Sequence, residues 1–256
     1  RMCESLFGSH PVQVVFEWNA AAHAQVNESD PGKRAFTRSE LQLFFDHADG
    51  EVDRIRALGR KGALPAWRDA VLFKTAYAWG LRRNEVRHLQ TVDFSPNPRA
   101  REFGRFGVVA VRYGKAHRGS AHKRRGVLTV FDWAVEVMAQ WVSEGLPLFG
   151  DSVIDVFPSG HGGLVAGAVG DRFRRYREEL GLDAGLDLHS LRRSYVTHLI
   201  EDGFDPLFVQ HQVGHEHAST TSLYTCVSSD FRTRSLRTAL DRSISEAMRV
   251  PGEASS

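Results

Sequence analysis

Two short stretches with strand-like alternation, GVVAVRYG (107–114) and GVLTVFD (126–132), flank a basic turn, KAHRGSAHKRR, while the rest of the patterned chain has helical spacing. Alternation on both sides of this basic turn predicts a β-hairpin with a cationic tip. Embedded among helices, one hairpin makes the fold class α+β, mainly α, with a small antiparallel β-sheet.

The helical segments carry their own start and stop signals. Thr37 with Glu40 has capping-box spacing, and Leu41, Phe44 and Phe45 follow as an apolar stripe. A second helix is predicted over 64–79, with Val71, Leu72, Thr75, Ala76 and Trp79 on one side and Gly80 ending it. Asn84 is the expected N-cap of a short helix, EVRHLQT. Further helices are expected near 133–144, in AGAVGDRFRRYREEL up to Gly181, and in SLRRSYVTHLIED up to Gly203. Asp205 as N-cap and Pro206 at the first helical position open PLFVQHQV. A last amphipathic helix, 230–248, lines up Leu236, Leu240, Ile244 and Met248. Ahead of all these, residues 1–33 end in a polar, Pro-Gly-containing stretch, so they read as a linker or the remnant of an N-terminal domain, with the main domain over 34–256.

Several function classes are disfavoured at this level. No run approaches eighteen apolar residues, so no membrane partner is expected. Two cysteines, Cys3 and Cys226, cannot build a disulfide framework, which points to a cytoplasmic location. His198, His211, His215 and His217 crowd together as zinc ligands might, but no HExxH is present and Gly214 interrupts the helix between His211 and His215. No metal site and no cofactor are expected.

Net charge is only +2, but its distribution is uneven. Residues 99–125 hold nine Lys and Arg, including Arg112, Lys115, Arg118, Lys123, Arg124 and Arg125, against Glu102 alone. Such a run favours a polyanion, because each neutralised phosphate releases condensed counterions. Arg112, Arg118, Lys123, Arg124 and Arg125 are accordingly the candidate DNA contacts.

Four pieces then occur in one order: GLRRNE (80–85), the hairpin turn at Lys115, HSLRRS (189–194), and Gly214-His215 followed by Tyr224 nine positions later. Together they resemble the catalytic domain of the tyrosine recombinases, the phage integrase family, over roughly residues 33 to 245. The resemblance matches Arg82 and Arg192 to the family's two arginines and Glu85 to the acid that supports the first. It matches Lys115, rather than Lys123, to the hairpin lysine that acts as general acid. His189 and His215 correspond to the two histidines and Tyr224 to the nucleophile. Arg193 stands where many relatives have a second histidine, and Val213 where leucine is common before Gly-His; neither position is catalytic in the family pattern.

Those residue types suit the chemistry. Displacement at phosphorus spreads negative charge over the nonbridging oxygens, and guanidinium forks bind them better than a lysine point charge does. A tyrosine that attacks phosphorus stores the bond as a phosphotyrosine, so the strand can be resealed without ATP. The resemblance implies site-specific strand exchange on double-stranded DNA by four protomers, metal-independent. Two other readings use the same sequence: a type IB topoisomerase-like nicking and rejoining enzyme, and a DNA-binding regulator that retains the fold.

Overall fold

The computed structural model describes residues 34–114, 123–150, 153–159, 162–163 and 166–214. Lys115, Arg118, His215, His217, Tyr224, Cys3, Cys226, residues 1–33 and the expected helix 230–248 lie outside the described residues.

Helix α1, Arg38–Ala57, starts as its capping box predicts: the Glu40 backbone N–H donates to Thr37 Oγ1 at 3.2 Å, and the Thr37 N–H donates to Glu40 Oε2 at 2.9 Å. Leu41, Phe44, Phe45, Ala48 and Val52 form its buried stripe. Helix α2, Ala63–Ala78, is different, with buried residues on most of its circumference. It packs against α1 and three later helices, so it forms the axis of the core. Around it Phe36, Phe44, Phe73, Phe173 and Tyr176 pack edge-on or tilted, with centroid separations of 4.8–6.2 Å. Each fully buried side chain of this size contributes about 1.5–3 kcal/mol by leaving water.

Gly80 ends α2 in a Schellman turn. The Leu81 N–H donates to the Ala76 carbonyl at 2.9 Å and the Gly80 N–H to Tyr77 at 3.0 Å. Its φ of 56° is left-handed, and a Cβ there would lie 2.5 Å from Cδ1 of Tyr195. Gly80→Ala is therefore expected to cost about 2–4 kcal/mol, from backbone strain plus overpacking. Urea unfolding checks this, and an unchanged midpoint would mean that the Tyr195 ring gives way at no cost.

The turn leads into α3, Arg83–Arg87. Its N-cap is Arg82, not Asn84, and it stops at Arg87 instead of running through EVRHLQT. The physical reason is that the orphan N–H at the helix start is satisfied from inside the helix: the Glu85 carboxylate reaches back to the Arg82 backbone N–H at 2.8 Å.

The sheet has three strands in the order β1 (Phe94–Ser95), β2 (Val108–Val111), β3 (Arg125–Leu128), all antiparallel. Both hairpin strands are shorter than their alternating runs, and β1 is a strand that the pattern did not announce. Val109 pairs with Val127 and Val111 with Arg125, and the Gly114 N–H still donates to the Lys123 carbonyl at 3.0 Å beyond the ladder. The root of the basic turn is thus held closed.

Helix α4, Asp132–Gln140, runs into a wide π turn at Trp141–Gly145. A two-residue pair, β4 (Pro158–Ser159) with β5 (Gly162–Gly163), precedes α5, Ala166–Glu179. Helix α6, Leu188–Glu201, opens on Asp187, whose side chain accepts the Ser190 N–H at 2.9 Å. Helix α7, Pro206–Val213, opens as expected: Asp205 accepts N–H bonds from Leu207 at 2.8 Å and Phe208 at 3.0 Å. Gly214, with φ 64°, ends it. Among the described residues no helix is long and apolar enough to cross a membrane, and no cluster of three or more His, Cys, Asp or Glu could hold a metal ion.

Candidate active site

Glu85 is the hub of the site. It is buried on α3, and its two oxygens are shared among three guanidinium groups. Oε1 accepts from Arg82 Nη1 at 3.0 Å and from Arg125 Nη1 at 2.8 Å. Oε2 accepts from the Arg82 backbone N–H and from Arg125 Nη2, each at 2.8 Å, and Arg192 Nη1 lies 4.0 Å from it. Burial by itself raises a carboxyl pKa. Here the hydrogen bonds and charge of Arg125, with the charges of Arg192 and Arg82, overcome burial and hold Glu85 down at about 2.

Arg192 projects from α6 and spans two turns that it does not belong to. Nη1 donates to the Gly80 carbonyl at 2.7 Å and Nη2 to the Val213 carbonyl at 2.6 Å. Arg82 Nη1 is 3.5 Å from the same Val213 carbonyl. Three separate segments, the α2–α3 turn, α6 and the end of α7, are therefore tied at one point. The side chain of Arg192 is 2% exposed and that of Arg82 is 22% exposed, so Arg82 forms the open flank of the pair. One carboxylate among three guanidinium groups leaves a surplus of positive charge in a partly dehydrated place, where it attracts an anion strongly.

The end of α7 is fastened to the sheet by Gln212. Its side-chain amide donates to the Leu128 carbonyl at 2.8 Å and accepts the Leu128 N–H at 2.9 Å, as an extra strand residue would. It also donates to the Tyr195 hydroxyl at 3.2 Å. The chain then turns at Gly214, where a Cβ would come within 2.9 Å of Arg125 Cδ. Val213 and Gly214, the two residues before His215, therefore lie against the arginine cluster.

The remaining sequence candidates fall into three groups. Arg82, Glu85 and Arg192 are brought together, and His189 lies in the first turn of α6, one turn ahead of Arg192 and half-buried. Lys123 and Arg124 are exposed at the start of the return strand, on the solvent side of the site. Arg112 and Arg125 are engaged with acids inside the fold. Arg112 Nε pairs with Asp93 at 2.6 Å and Nη2 donates to Gln90 Oε1 at 2.8 Å, with the guanidinium 5.3 Å from the centre of the Tyr113 ring. Arg125 faces Glu85. The reason is register: in β3 the even-numbered Gly126 and Leu128 point out, whereas Arg125 shares the inward face with buried Val127. Lys115, Arg118, His215 and Tyr224 lie outside the described residues.

Of the would-be zinc ligands, His198 is buried in the core, with Nδ1 2.9 Å from the Tyr77 hydroxyl and Nε2 3.1 Å from the Phe36 carbonyl. Burial lowers its pKa, so the neutral ring is favoured there. Gln212 was not among the sequence candidates. Its signal is a polar residue beside Val209 and Val213 on the buried face of a short apolar helix.

Residues 48–230 match the model of the phage integrase family. The chain is 30% identical over 216 residues to the tyrosine recombinase XerD of Ralstonia nicotianae, covering 83% of this chain and 65% of that protein. It is 30% identical over 172 residues to the tyrosine recombinase XerC of Halalkalibacterium halodurans, covering 64% of this chain and 51% of the relative. The chain thus spans about half to two thirds of the length of these relatives. Among solved structures, the XerA recombinase superposes with a TM-score of 0.56 at 18% identity, covering 86% of this chain and 65% of that one. The XerH site-specific recombinase bound to its difH substrate, in a pre-cleavage complex, gives 0.57 at 22%, covering 80% and 53%. At such identities the likeness is one of fold, a mainly helical domain with a small antiparallel sheet.

Proposed function

Because the chain belongs to the phage integrase family, we propose that it is a site-specific DNA recombinase that cuts and rejoins strands through a covalent 3′-phosphotyrosine. The observation that carries this reading is the convergence of Arg82 and Arg192 on Glu85 and the Val213 carbonyl, one residue from the Gly-His turn. Residues 34–256 act as the catalytic domain, and residues 1–33 as a linker or the remnant of an N-terminal domain.

In this reading the scissile phosphate sits on the open flank of the arginine pair. Tyr224 attacks phosphorus, the Tyr–O–P bond forms, and the P–O bond to the 5′ carbon breaks. The departing 5′ oxygen takes a proton from Lys115 on the turn whose root is held by the Gly114–Lys123 bond. Arg82 and Arg192 bind the oxygens that gain charge, while His189 and His215 hydrogen-bond the phosphate or take the tyrosine proton. Preorganised donors of this kind typically contribute about 2.7–4 kcal/mol each. A 5′-hydroxyl from a partner duplex then reverses the attack and seals the strand, conserving the bond. Arg118, Lys123 and Arg124 contact backbone phosphates of double-stranded DNA. Four protomers on two sites, in the cytoplasm, complete the exchange.

The test uses nicked duplexes spanning the DNA on either side of the gene, with and without EDTA. Wild-type chain is expected to accumulate a covalent adduct at the same rate in both, and Tyr224→Phe is expected to form none. Loss of activity in EDTA would contradict the metal-independent mechanism. Relaxation of supercoiled plasmid regardless of sequence would favour the topoisomerase reading. Tight binding with no adduct would favour a regulator.

A further inference from the structure

Arg125 lies in the basic run, yet its side chain is 13% exposed and every contact it makes points inward. Nη1 and Nη2 grip both oxygens of Glu85, each at 2.8 Å, in the parallel fork geometry that suits a carboxylate. Nε donates to the Gln212 carbonyl at 2.9 Å, and its Cδ packs where a Cβ on Gly214 would stand. Its own backbone is fixed by pairing with Val111 in β2. One side chain thus joins three things: the hairpin that bears the basic turn, the carboxylate beneath Arg82, and the end of α7 that leads to His215.

We propose that Arg125 is a positioning residue for strand cleavage, which fixes the Glu85 carboxylate, and through it the Arg82 guanidinium, against the scissile phosphate. The inference rests on reading the chain as a strand-cleaving enzyme. Glu85 Oε1 is shared between Arg125 and Arg82, and Glu85 Oε2 between Arg125 and the Arg82 backbone. Without the fork on its far side the carboxylate can rotate, and both of its bonds to Arg82 move with it. Three of its five N–H donors are committed to Glu85 and Gln212, and the side chain is 13% exposed, so it is poorly placed to serve a DNA phosphate at the same time.

Lysine at 125 keeps the charge but offers a point donor in place of a fork. The full chain carrying Arg125→Lys is expected to bind duplex DNA within about twofold of wild type, since a residue that is not a phosphate contact leaves affinity and salt dependence alone. Its single-turnover cleavage of the bound duplex is expected to fall about a hundredfold, as for a lost preorganised donor. The distinguishing substrate has a methylphosphonate at the scissile position. With one nonbridging oxygen replaced by methyl, the ground state is uncharged and the aim of Arg82 matters less. The deficit of Arg125→Lys should then shrink to about tenfold or below, a change that a merely structural role would not produce. If lysine leaves too little folded protein, Arg125→Gln, which still hydrogen-bonds Glu85, is read in the same way.

An equal deficit on both substrates overturns the proposal. So does a weaker, less salt-dependent complex that is cleaved at the wild-type rate, which would make Arg125 a DNA contact. If the wild-type chain cleaves neither substrate, the reading of the reaction fails. The positioning claim is then decided by NMR of the free protein: the Arg82 Nε–H resonance must shift in Arg125→Lys, and an unmoved resonance overturns it.

Discussion

Alanine at position 192 is expected to abolish strand cleavage and to destabilise the fold at once, whereas lysine separates the two effects. The Arg192 side chain is buried and donates to the Gly80 and Val213 carbonyls. Truncation strips both carbonyls of their short bonds to Arg192, leaving Val213 the 3.5 Å bond from Arg82, and removes one of the three cations around Glu85. Breaking a buried charged network in this way costs about 3–5 kcal/mol. Cleavage by whatever protein remains folded is expected to fall a further 10²–10³-fold or so, the usual consequence of losing a donor aimed at developing charge. Lysine retains the charge but cannot reach both carbonyls, so Arg192→Lys should recover much of the stability and little of the rate. Urea unfolding and single-turnover cleavage measure the two separately. Recovery of both by lysine would mean that the fork geometry is dispensable.

The second large effect belongs to Glu85→Gln. Three guanidinium groups lose the anion that they surround, and the glutamine amide turns a donor toward at least one of them. A cost of about 3–5 kcal/mol is expected at neutral pH. The pH dependence carries a sign that checks the cause. The folded-state pKa of Glu85 is about 2, below its ordinary 4.5, so its ionised form stabilises the fold fully above 4.5. That stabilisation, on the order of 3 kcal/mol for a shift of this size, is lost as pH falls from 4.5 towards 2. The gap between wild type and Glu85→Gln should therefore be constant above pH 5 or so and narrow below it. A gap that is flat down to pH 2 would place the effect in packing and not in the carboxylate charge.

The parts of the fold legible in the sequence are those decided by neighbours in the chain. The Thr37–Glu40 capping box, the Asp205–Pro206 start and the glycine stops at Gly80, Gly203 and Gly214 involve residues a few positions apart, and local chemistry is sufficient to specify them. The start of α3 is not legible in this way, because a local pattern shows only a capping side chain at the N-cap. Here the cap comes from Glu85 within the helix, whose charge is already committed to distant arginines. Strand β1 has two residues and exists only because β2 lies beside it, which no local pattern records. The π turn at Trp141–Gly145 likewise goes with distant packing, since the Trp141 ring meets Trp67 of α2 edge-on at 5.3 Å and a Cβ on Gly145 would meet both rings.

The site divides in the same way. Arg82, Glu85 and Arg192 were legible as motif members, and the structure adds the Val213 carbonyl as their meeting point. By charge Arg125 groups with its neighbours, although the period of two that marks the hairpin also turns its side chain inward beside Val127. Arg112 is neutralised by Asp93, nineteen residues earlier, and that partnership needs the fold to appear.

In the proposed reaction one tyrosine hydroxyl becomes covalently joined to DNA beside the arginine pair. Trapping the complex on a nicked duplex, digesting both components and locating the nucleotide-bearing peptide by mass spectrometry tests it most directly. A 3′-phosphate ester on Tyr224, present with and without EDTA, is the expected result. A nucleotide on any other residue, or the same adduct from Tyr224→Phe, would contradict it.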